Sequence, residues 1–451
     1  MARFPNETVL IMGHIAAKTA YLNLQQRLDR MPIGAPAHRA FFDLLETLFS
    51  PEECRVAAAI PLKLANLDQI AKGAELPERR TSEVLEGLAD KGLVVDLPRG
   101  NKPTLYFLNP TVIGFIEFTM MRVTDVDHKR AAELIWQYMF EDPGLAFMRM
   151  VGGGDTFVAR PLVHEDALEP EVCSEVLDFQ SATEIVDRAG AWAESVCHCR
   201  HVKLHHGKQC SYPLEHCLSL GRATDWMVRR RLAKPISHTR AREILEHARD
   251  HGCVQMADNV KNHPTFVCNC CKCCCELMEG FRALPHMAKV VSSSYVAELD
   301  AAKCNGCGKC AKACPIDVIT MVPAEPTPAV PKRKKRSQLD PAGCLGCGVC
   351  HGACKFDGIR LRRANKRVHT PEDRIERMTL QAIERGKVQH LLFNDPKRLT
   401  HRTLGAFLGV LLKLPPAKQA LANQQLKSRF VEAVMRGLGV PRRRRSVSTA
   451  S

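Results

Sequence analysis

Two runs of cysteines have a spacing that suits iron–sulfur chemistry. Their members are Cys304, Cys307, Cys310 and Cys314 in the first run and Cys344, Cys347, Cys350 and Cys354 in the second. Both follow the pattern C-x2-C-x2-C-x3-C, in which three thiolates bind irons of one cubane and the fourth reaches the neighbouring cluster. The spacing therefore predicts two [4Fe-4S] clusters.

The predicted ligand sets cross over between the two runs, because the fourth cysteine of each run serves the other cluster. One set is Cys304, Cys307, Cys310 and Cys354, and the other is Cys344, Cys347, Cys350 and Cys314. Glycines lie between ligands at four positions, where we expect a side chain to crowd the cluster. They are Gly306, Gly308, Gly346 and Gly348. Zinc is the alternative occupant, and the repeated spacing favours iron–sulfur clusters over it.

Further cysteines lie upstream in a less regular pattern. They are Cys197, Cys199, Cys210, Cys217, Cys268, Cys270, Cys271, Cys273, Cys274 and Cys275. If the second half of this group is helical, two triplets of thiols face opposite sides of the helix. The triplets are Cys268, Cys271 and Cys275, and Cys270, Cys273 and Cys274.

Each triplet could hold a further iron–sulfur cluster, completed by thiols from the segment between Cys197 and Cys217. We favour this interpretation, which adds one or two clusters to the predicted pair. The alternative is a single extra cluster or a zinc site in that segment, with the remaining thiols redox-active or substrate-binding. Histidines such as His198 compete with the thiols as ligands.

Cysteine usage also indicates the compartment. Of the 21 cysteines in 451 residues, all but Cys54, Cys173 and Cys253 fall in short clusters between Cys197 and Cys354. Clustered thiols in a chain without a recognisable export signal indicate metal chemistry in a reducing cytosol, not secreted disulfides. No apolar stretch reaches the roughly 18 residues needed to span a bilayer. We therefore expect a cytoplasmic protein without a membrane span.

The net charge of +15 is concentrated at the C-terminal end. Residues 361–451 contain 20 Lys and Arg against 6 Asp and Glu, a difference of +14. The run Arg442 to Arg445 is typical of a disordered, solvated tail. The whole segment could steer docking onto an acidic redox partner, or mediate peripheral contact with an anionic membrane surface.

The pattern of helices and strands expected around these cysteines predicts a multi-domain α+β protein. The expected order is a helical segment (1–36), a winged-helix-like domain (37–110), a mainly helical connecting region (111–190), a helical cysteine-rich module (191–293), a bacterial two-cluster ferredoxin-like domain (294–364) and a basic helical region (365–451). Within the ferredoxin-like domain, residues 323–339 are rich in Pro and Lys. We expect them to form an extended, solvated linker.

The winged-helix prediction is based on local pattern. A helix around Leu67 to Ala71, a second from Pro77 to Leu93 and a hairpin over residues 94–107 follow one another. DNA binding by the second helix is one interpretation. However, its basic residues are balanced by Glu and Asp, so the region lacks the basic surplus that phosphate binding requires. We therefore favour docking onto a partner protein or another part of this chain over nucleic-acid contact.

Several segments together resemble a known family. They are Cys197-x-Cys199-Arg200, Cys210, Cys217, Pro235-Ile236-Ser237, Phe266 to Cys275 and the two ferredoxin motifs. Over roughly residues 20 to 365 the chain resembles uncharacterised bacterial 4Fe-4S dicluster-domain proteins. The resemblance implies a winged-helix-like region, then a cysteine-rich module, then a dicluster ferredoxin. It implies iron–sulfur binding and electron transfer, with no particular substrate or partner.

The first functional hypothesis is an electron-transfer protein that serves separate redox partner proteins, such as the catalytic subunit of an oxidoreductase. The sequence lacks a Rossmann glycine fingerprint and a P-loop, so it predicts no nicotinamide, flavin or ATP site. One alternative is a redox-sensing winged-helix transcription regulator. Another is an oxidoreductase whose central cysteines act on a substrate.

Overall fold

The computed structural model of the chain describes residues 7–122, 127–168, 178–288, 291, 293–328, 330–365, 369–393, 399–412 and 430–435. Its helices are α1 (Glu7–Asp29), α2 (Arg39–Leu48), α3 (Pro51–Ala59), α4 (Leu67–Ala74), α5 (Glu78–Asp90), α6 (Ile116–Thr119), α7 (His128–Trp136), α8 (Ala146–Val151), α9 (Ala182–Asp187), α10 (His198–His205), α11 (Arg222–Arg229), α12 (His238–Asp250), α13 (Glu276–Ala283), α14 (Pro285–Ala288), α15 (Lys309–Ala313), α16 (Val349–Gly352), α17 (Arg374–Glu384), α18 (Val388–Leu392) and α19 (Leu399–Leu411). Within these residues, no helix is long and apolar enough to cross a membrane.

The strands are β1 (Val94–Arg99), β2 (Lys102–Leu108), β3 (Ala159–Pro161), β4 (Trp192–Ser195), β5 (Cys217–Leu220), β6 (Lys234–Pro235), β7 (Val254–Asp258), β8 (Phe266–Cys270), β9 (Tyr295–Leu299), β10 (Ile319–Pro323), β11 (Lys335–Leu339) and β12 (Ile359–Arg363). Helices and strands thus occur together along the chain, as the α+β prediction requires. Within the described residues, the largest hydrophobic core is shared by the N-terminal helices, the centre and the two cysteine runs near the C-terminal end.

The region after residue 66 has the predicted order of two helices and a hairpin. Helix α4 begins with a capping box, in which the Asn66 side chain accepts from the Gln69 amide at 3.0 Å. Helix α5 begins at Glu78, one residue later than expected, because Pro77 occupies the N-cap. Strands β1 and β2 pair antiparallel. The helix–turn–helix and hairpin elements therefore form, while the winged-helix class stays a prediction.

A buried arginine joins this region to the centre of the chain. Arg230 follows α11 and is only 7% exposed. Its guanidinium donates to Asp96 at 3.0 Å, to Glu86 at 2.6 Å and to Asp90 at 2.8 Å. Arg229 donates to Asp96 as well. The acidic side of α5 is therefore engaged by another part of the same chain.

The prediction of a helical cysteine-rich centre is wrong. The centre contains a six-stranded sheet in the order β3-β7-β8-β5-β4-β6, and every neighbouring pair in it is antiparallel. The run from Cys268 to Cys275, which we predicted to be one helix, begins in strand β8, and that strand ends at Cys270. The chain then turns, and Cys275 is the N-cap of α13. Cysteine gives no helical period of its own, and Phe266 and Val267 favour a strand.

Residues 294–364, predicted to be ferredoxin-like and called the ferredoxin-like module below, consist of two similar halves. Each cysteine run leads into a short helix, α15 in the first half and α16 in the second. Strand β9 pairs antiparallel with β12 at the outer ends, and β10 pairs antiparallel with β11 between the halves. The two runs are therefore brought together by strands that come from opposite ends of the module.

The expectation of an extended, solvated linker over residues 323–339 is wrong. Pro323 pairs with Lys335 at the end of the β10–β11 ladder, so both ends of the segment belong to a hairpin. Arg333 is 7% exposed and donates to the Glu325 carbonyl at 3.0 Å. Charged side chains suit the exposed side of an edge strand, which explains why the composition resembles that of a linker.

The C-terminal region is helical where the structure describes it. Ala382 and Ile383 of α17 are buried, whereas Ile375 is 41% exposed. The Arg377 guanidinium pairs with Asp258 of the central sheet, which fixes α17 to the centre. The predicted disordered tail, Arg442 to Arg445, and Cys173 both lie outside the described residues.

The substitution Asp96→Asn tests the junction at Arg230. Although burial alone would raise the pKa of the Asp96 carboxyl, hydrogen bonds from Arg230 and Arg229 hold it below its usual value. Losing charge-assisted hydrogen bonds costs about 1.5–3 kcal/mol, so we expect a lower midpoint of thermal unfolding at pH 7. Asp68→Asn is the control, because the exposed Asp68–Lys72 ion pair contributes little.

Acid should remove the difference between wild type and Asp96→Asn. A carboxyl whose pKa is lowered by folding stabilises the protein above its unfolded pKa of about 3.9. This contribution disappears as the pH falls through the folded pKa. The two unfolding midpoints should therefore converge progressively below about pH 4. A difference that persisted unchanged there would show that the Asp96 charge does not hold the junction.

Candidate iron–sulfur and metal-binding sites

One of the two predicted cluster sites is a cavity with thiols on its wall. Its cysteines are Cys314, Cys344, Cys347 and Cys350. This is one of the crossed sets, with Cys314 contributed by the other run. The rest of the lining is largely apolar and includes Ile316, Leu345 and Leu361. Four thiols around an apolar cavity are the donor set that a [4Fe-4S] cluster requires.

Burial makes this cavity costly for free thiolates. It raises the pKa of the Cys347 thiol to about 12 and also raises that of Cys350. Iron binds the thiolate form, so the charge of the metal has to compensate for the lost water. Without a metal the buried thiols stay neutral, and a bound cluster would have to supply the charge that stabilises their thiolate forms.

The second predicted set is more open to solvent. Cys310 interacts electrostatically with Cys304 and Cys354, so the structure also brings the fourth cysteine of the later run to the earlier one. Cys307 is exposed. The Ser337 hydroxyl lies 3.5 Å from the Cys304 sulfur. A hydroxyl at this position can donate to a ligand sulfur, which is one of the factors that set a cluster's potential.

Sequence analysis missed Ser337 and Arg333 because both belong to the segment whose composition indicates a linker. The Arg333 guanidinium donates to the Cys304 carbonyl at 3.3 Å and to the Ala301 carbonyl. The hairpin therefore closes over the first cysteine run. The sequence Lys335 to Leu339 could have indicated a strand, because only alternate residues of such a strand need to face solvent.

Two of the four glycines between the ligands, Gly346 and Gly306, are required by close contacts with protein backbone. Gly346 has φ +67°, and a Cβ there would lie 2.1 Å from the Tyr295 carbonyl oxygen. Gly306 has φ +80°, and its Cβ would lie 2.3 Å from the Lys335 carbonyl oxygen. In each half, the cysteine loop thus packs directly against a strand. The expectation that a side chain would crowd the cluster did not include this backbone contact.

The central cysteines divide into two sets, and the predicted helical triplets are wrong. The four-thiol set consists of Cys210, Cys271, Cys273 and Cys274, whose sulfurs all lie within 4.8 Å of one another. The six-thiol set consists of Cys197, Cys199, Cys217, Cys268, Cys270 and Cys275. The division follows from strand geometry, in which residues i and i+2 share a face. Cys268 and Cys270 therefore stay together, and the later thiols leave with the turn.

Sheet register and helix ends assemble the six-thiol set. Leu218 of β5 pairs with Val267 of β8, which brings the Cys217 and Cys268 sulfurs to 3.8 Å. Cys199 in the first turn of α10 interacts with Cys197 and with Cys275 at the start of α13. Cys275 interacts in turn with Cys270. Cys268 also interacts electrostatically with Cys270 and Cys197, so the six thiols form one connected group.

Buried polar groups accompany the six-thiol set. His198 Nε2 lies 2.8 Å from Glu276 Oε2, and both side chains are more than nine-tenths buried. Burial alone would lower the pKa of His198, but Glu276 raises it above its usual value. Ligand atoms of His198, Cys199 and Glu276 lie within 4.8 Å of one another. The remaining atoms, His198 Nδ1 and Glu276 Oε1, have no hydrogen-bond partner within the described residues.

Arg200 lies between the two central sets and is 1% exposed. It donates to the Asn269 carbonyl at 2.6 Å and lies over the Tyr212 ring at 4.3 Å. Burial would lower the pKa of its guanidinium, but charge on Cys197 and Cys271 raises it. A buried cation at this position offsets the negative charge of thiolates in both sets.

Comparison with known proteins supports iron–sulfur binding by the two cysteine runs. Residues 303–357 match the family described as a 4Fe-4S dicluster domain. The match includes every cysteine of the two runs and lies within the predicted 294–364 domain. No curated protein and no solved structure matches the chain. The match and the clustered cysteines support an iron–sulfur protein.

Gly346→Ala should disrupt cluster binding in this module. The new Cβ would meet the Tyr295 carbonyl at a position where φ is already positive, so the loop that carries Cys344 and Cys347 has to move. Gly352→Ala is the matched control, because a Cβ there meets nothing within 4 Å. We expect iron and acid-labile sulfide to fall by about half in Gly346→Ala and to stay at the wild-type level in Gly352→Ala. Equal content in both variants would contradict the packing argument.

Proposed function

We propose that this protein transfers electrons through two [4Fe-4S] clusters bound by the crossed cysteine sets. The observation that carries the proposal is the cavity in which Cys314 of the first run joins Cys344, Cys347 and Cys350 of the second. The cluster in such a site supplies a one-electron redox couple. The second cluster is assigned to Cys304, Cys307, Cys310 and Cys354.

The surrounding residues suit that role. Leu345 and Leu361 restrict water at one set, while the other set has the exposed Cys307. Because solvent exposure and hydrogen bonds to sulfur both affect the potential, the two clusters should differ in potential. The more exposed set is the natural point of contact for a partner, since electrons pass most readily over short separations.

We propose separate redox proteins as electron donor and acceptor. The +14 charge of residues 361–451 supports attraction of an acidic partner, through a field that added salt would screen. In the same region, α19 exposes Leu404, Phe407 and Val410, an apolar face that suits docking. An anionic membrane surface would be attracted by the same charge.

A DNA-binding regulator is less well supported. Glu86 and Asp90 on α5 bind Arg230 within the chain. Helix α5 therefore presents carboxylates where a recognition helix would need to approach phosphates. This internal contact supports the proposal that the winged-helix-like region docks onto the centre of its own chain.

Alanine substitutions of single cysteines test the crossed assignment. If the sets cross, Cys314→Ala should lose the same cluster as Cys347→Ala, and Cys354→Ala the same one as Cys307→Ala. Each variant should lose up to about four irons, and the EPR spectra of the reduced proteins should group in these pairs. Cys54→Ala, in the buried core at α3, is the control and should retain all iron. Grouping by run instead would refute the assignment.

A third iron–sulfur centre in the six-thiol set is a second candidate. Within the described residues, no three sulfurs of this set all lie within 4.8 Å of one another. One ion therefore cannot satisfy the group, whereas a polynuclear cluster can. The buried His198–Glu276 pair beside Cys199 adds a proton-bearing group at the same place. Such a centre would support the alternative of a central module that acts on a substrate.

Metal content of the anaerobically purified protein tests this second candidate. About 8 irons per chain would mean that the ferredoxin clusters stand alone, and about 12–16 would place iron in the centre as well. In the second case, Cys268→Ala should lower iron and sulfide while leaving the EPR signals of the two ferredoxin clusters in place. Iron content near 8 in the wild type would reject a third cluster.

A further inference from the structure

We propose that the four-thiol set binds a single Zn²⁺ ion, which fixes the turn after β8 to the ferredoxin-like module. The ligands are Cys210, Cys271, Cys273 and Cys274. This site is independent of the proposed electron transfer. It has the chemistry of a closed structural centre in which four thiolates occupy the corners of a tetrahedron.

The distances between the sulfurs fit one ion. Sulfurs of Cys210 and Cys271 are 3.8 Å apart, and those of Cys273 and Cys274 are 3.7 Å apart. A tetrahedral ion with zinc–sulfur bonds of about 2.3 Å places its ligand sulfurs about 3.8 Å apart. The same distances are far longer than the roughly 2.05 Å of a disulfide. The spacing is therefore that of a mononuclear tetrathiolate.

The other cysteine sets provide an internal comparison. In a cubane, each thiolate binds a different iron at a corner of the cluster, so the sulfurs stand farther apart than around one ion. In the part of the chain that the structure describes, no cysteine of the two ferredoxin runs belongs to a group of three or more ligand atoms that all lie within 4.8 Å of one another. The four-thiol set is thus distinguished by its geometry, even though all these residues are cysteines.

The surroundings of the set indicate a structural role. Its hydrophobic cluster consists of Tyr212, Ala248, Cys253, Cys271 and Cys274, so three of its five buried members are cysteines. Such a small core contributes little hydrophobic stabilisation, and metal binding can supply the missing folding energy. The turn that carries three of the ligands has no regular helix or strand.

Two cations extend from the set to the ferredoxin-like module. Lys272, between two of the ligands, donates to the Lys312 carbonyl at 3.0 Å and pairs with Asp317. Arg282 of α13 donates to the Lys272 carbonyl at 3.0 Å and to the Pro315 carbonyl at 2.6 Å. Pro315 follows Cys314, which is a predicted cluster ligand. A rigid tetrathiolate would thus hold the ferredoxin backbone at a fixed position.

Zinc and iron both accept tetrahedral thiolate sites. Zinc has no redox chemistry, and a closed site of four cysteines is its usual structural arrangement. The contacts of this turn hold two parts of the chain together. Zinc therefore suits the site better, and a mononuclear iron is the outcome that would overturn the assignment.

Zinc, iron and acid-labile sulfide should be measured together on the full chain purified anaerobically without added metal. We expect about one zinc per chain. Cys273→Ala should reduce the zinc content by about tenfold or more while iron and sulfide stay at the wild-type level. Cys273 is exposed, so its substitution leaves the core packing intact. Cys271→Ala should have the same effect.

Cys253→Ala is the matched control. Cys253 is 1% exposed and belongs to the same hydrophobic cluster, but it is not one of the four ligands. This variant should retain its zinc. Zinc-free wild type, a high-spin ferric EPR signal from one additional iron, or zinc retained by Cys273→Ala would each overturn the proposal. Zinc content tests the zinc site, whereas iron and sulfide content test the two [4Fe-4S] clusters. The two proposals can therefore fail separately.

Discussion

The cost of burying thiols governs this structure more than any other constraint. A thiolate is the form that binds metal, but an apolar environment favours the neutral thiol, as the raised pKa of Cys347 shows. Every cysteine between Cys197 and Cys354 except Cys253 lies in one of the four sets described above. Metal charge therefore has to be part of the folded state wherever these thiols ionise.

Buried cations have the complementary task. Arg200 lies between the two central thiol sets, Arg333 holds the hairpin against the first cysteine run, and Arg230 fixes the winged-helix-like region to the centre. Each arginine donates to backbone carbonyls or carboxylates that come from distant parts of the chain. A planar guanidinium can make several such bonds at once, which a lysine cannot reproduce. These residues convert separate segments into one packed molecule.

The short helix in each cysteine run could be predicted from sequence, because the spacing within a run already implies a helical turn. The six-thiol set could not, because it depends on the register of β5 against β8, which the spacing of Cys268 and Cys270 does not reveal. The assumption of a helix therefore grouped the wrong thiols. Similarly, Ser337 belongs to a cluster site only because β11 pairs with β10 and turns its side chain toward Cys304. Local spacing predicts candidate ligands, whereas tertiary contacts determine which side chains surround them.

A neutral histidine completes the connection between the ferredoxin-like module and the centre. The His164 amide donates to the Cys347 carbonyl at 3.0 Å, and its Nε2 lies 3.1 Å from the Cys253 carbonyl. Burial lowers the pKa of His164 to about 4, so the ring is neutral at physiological pH and Nε2 can donate to the Cys253 carbonyl. The contact therefore does not change with pH in that range. His164 therefore joins the backbone of a predicted cluster ligand to the core beside the four-thiol set.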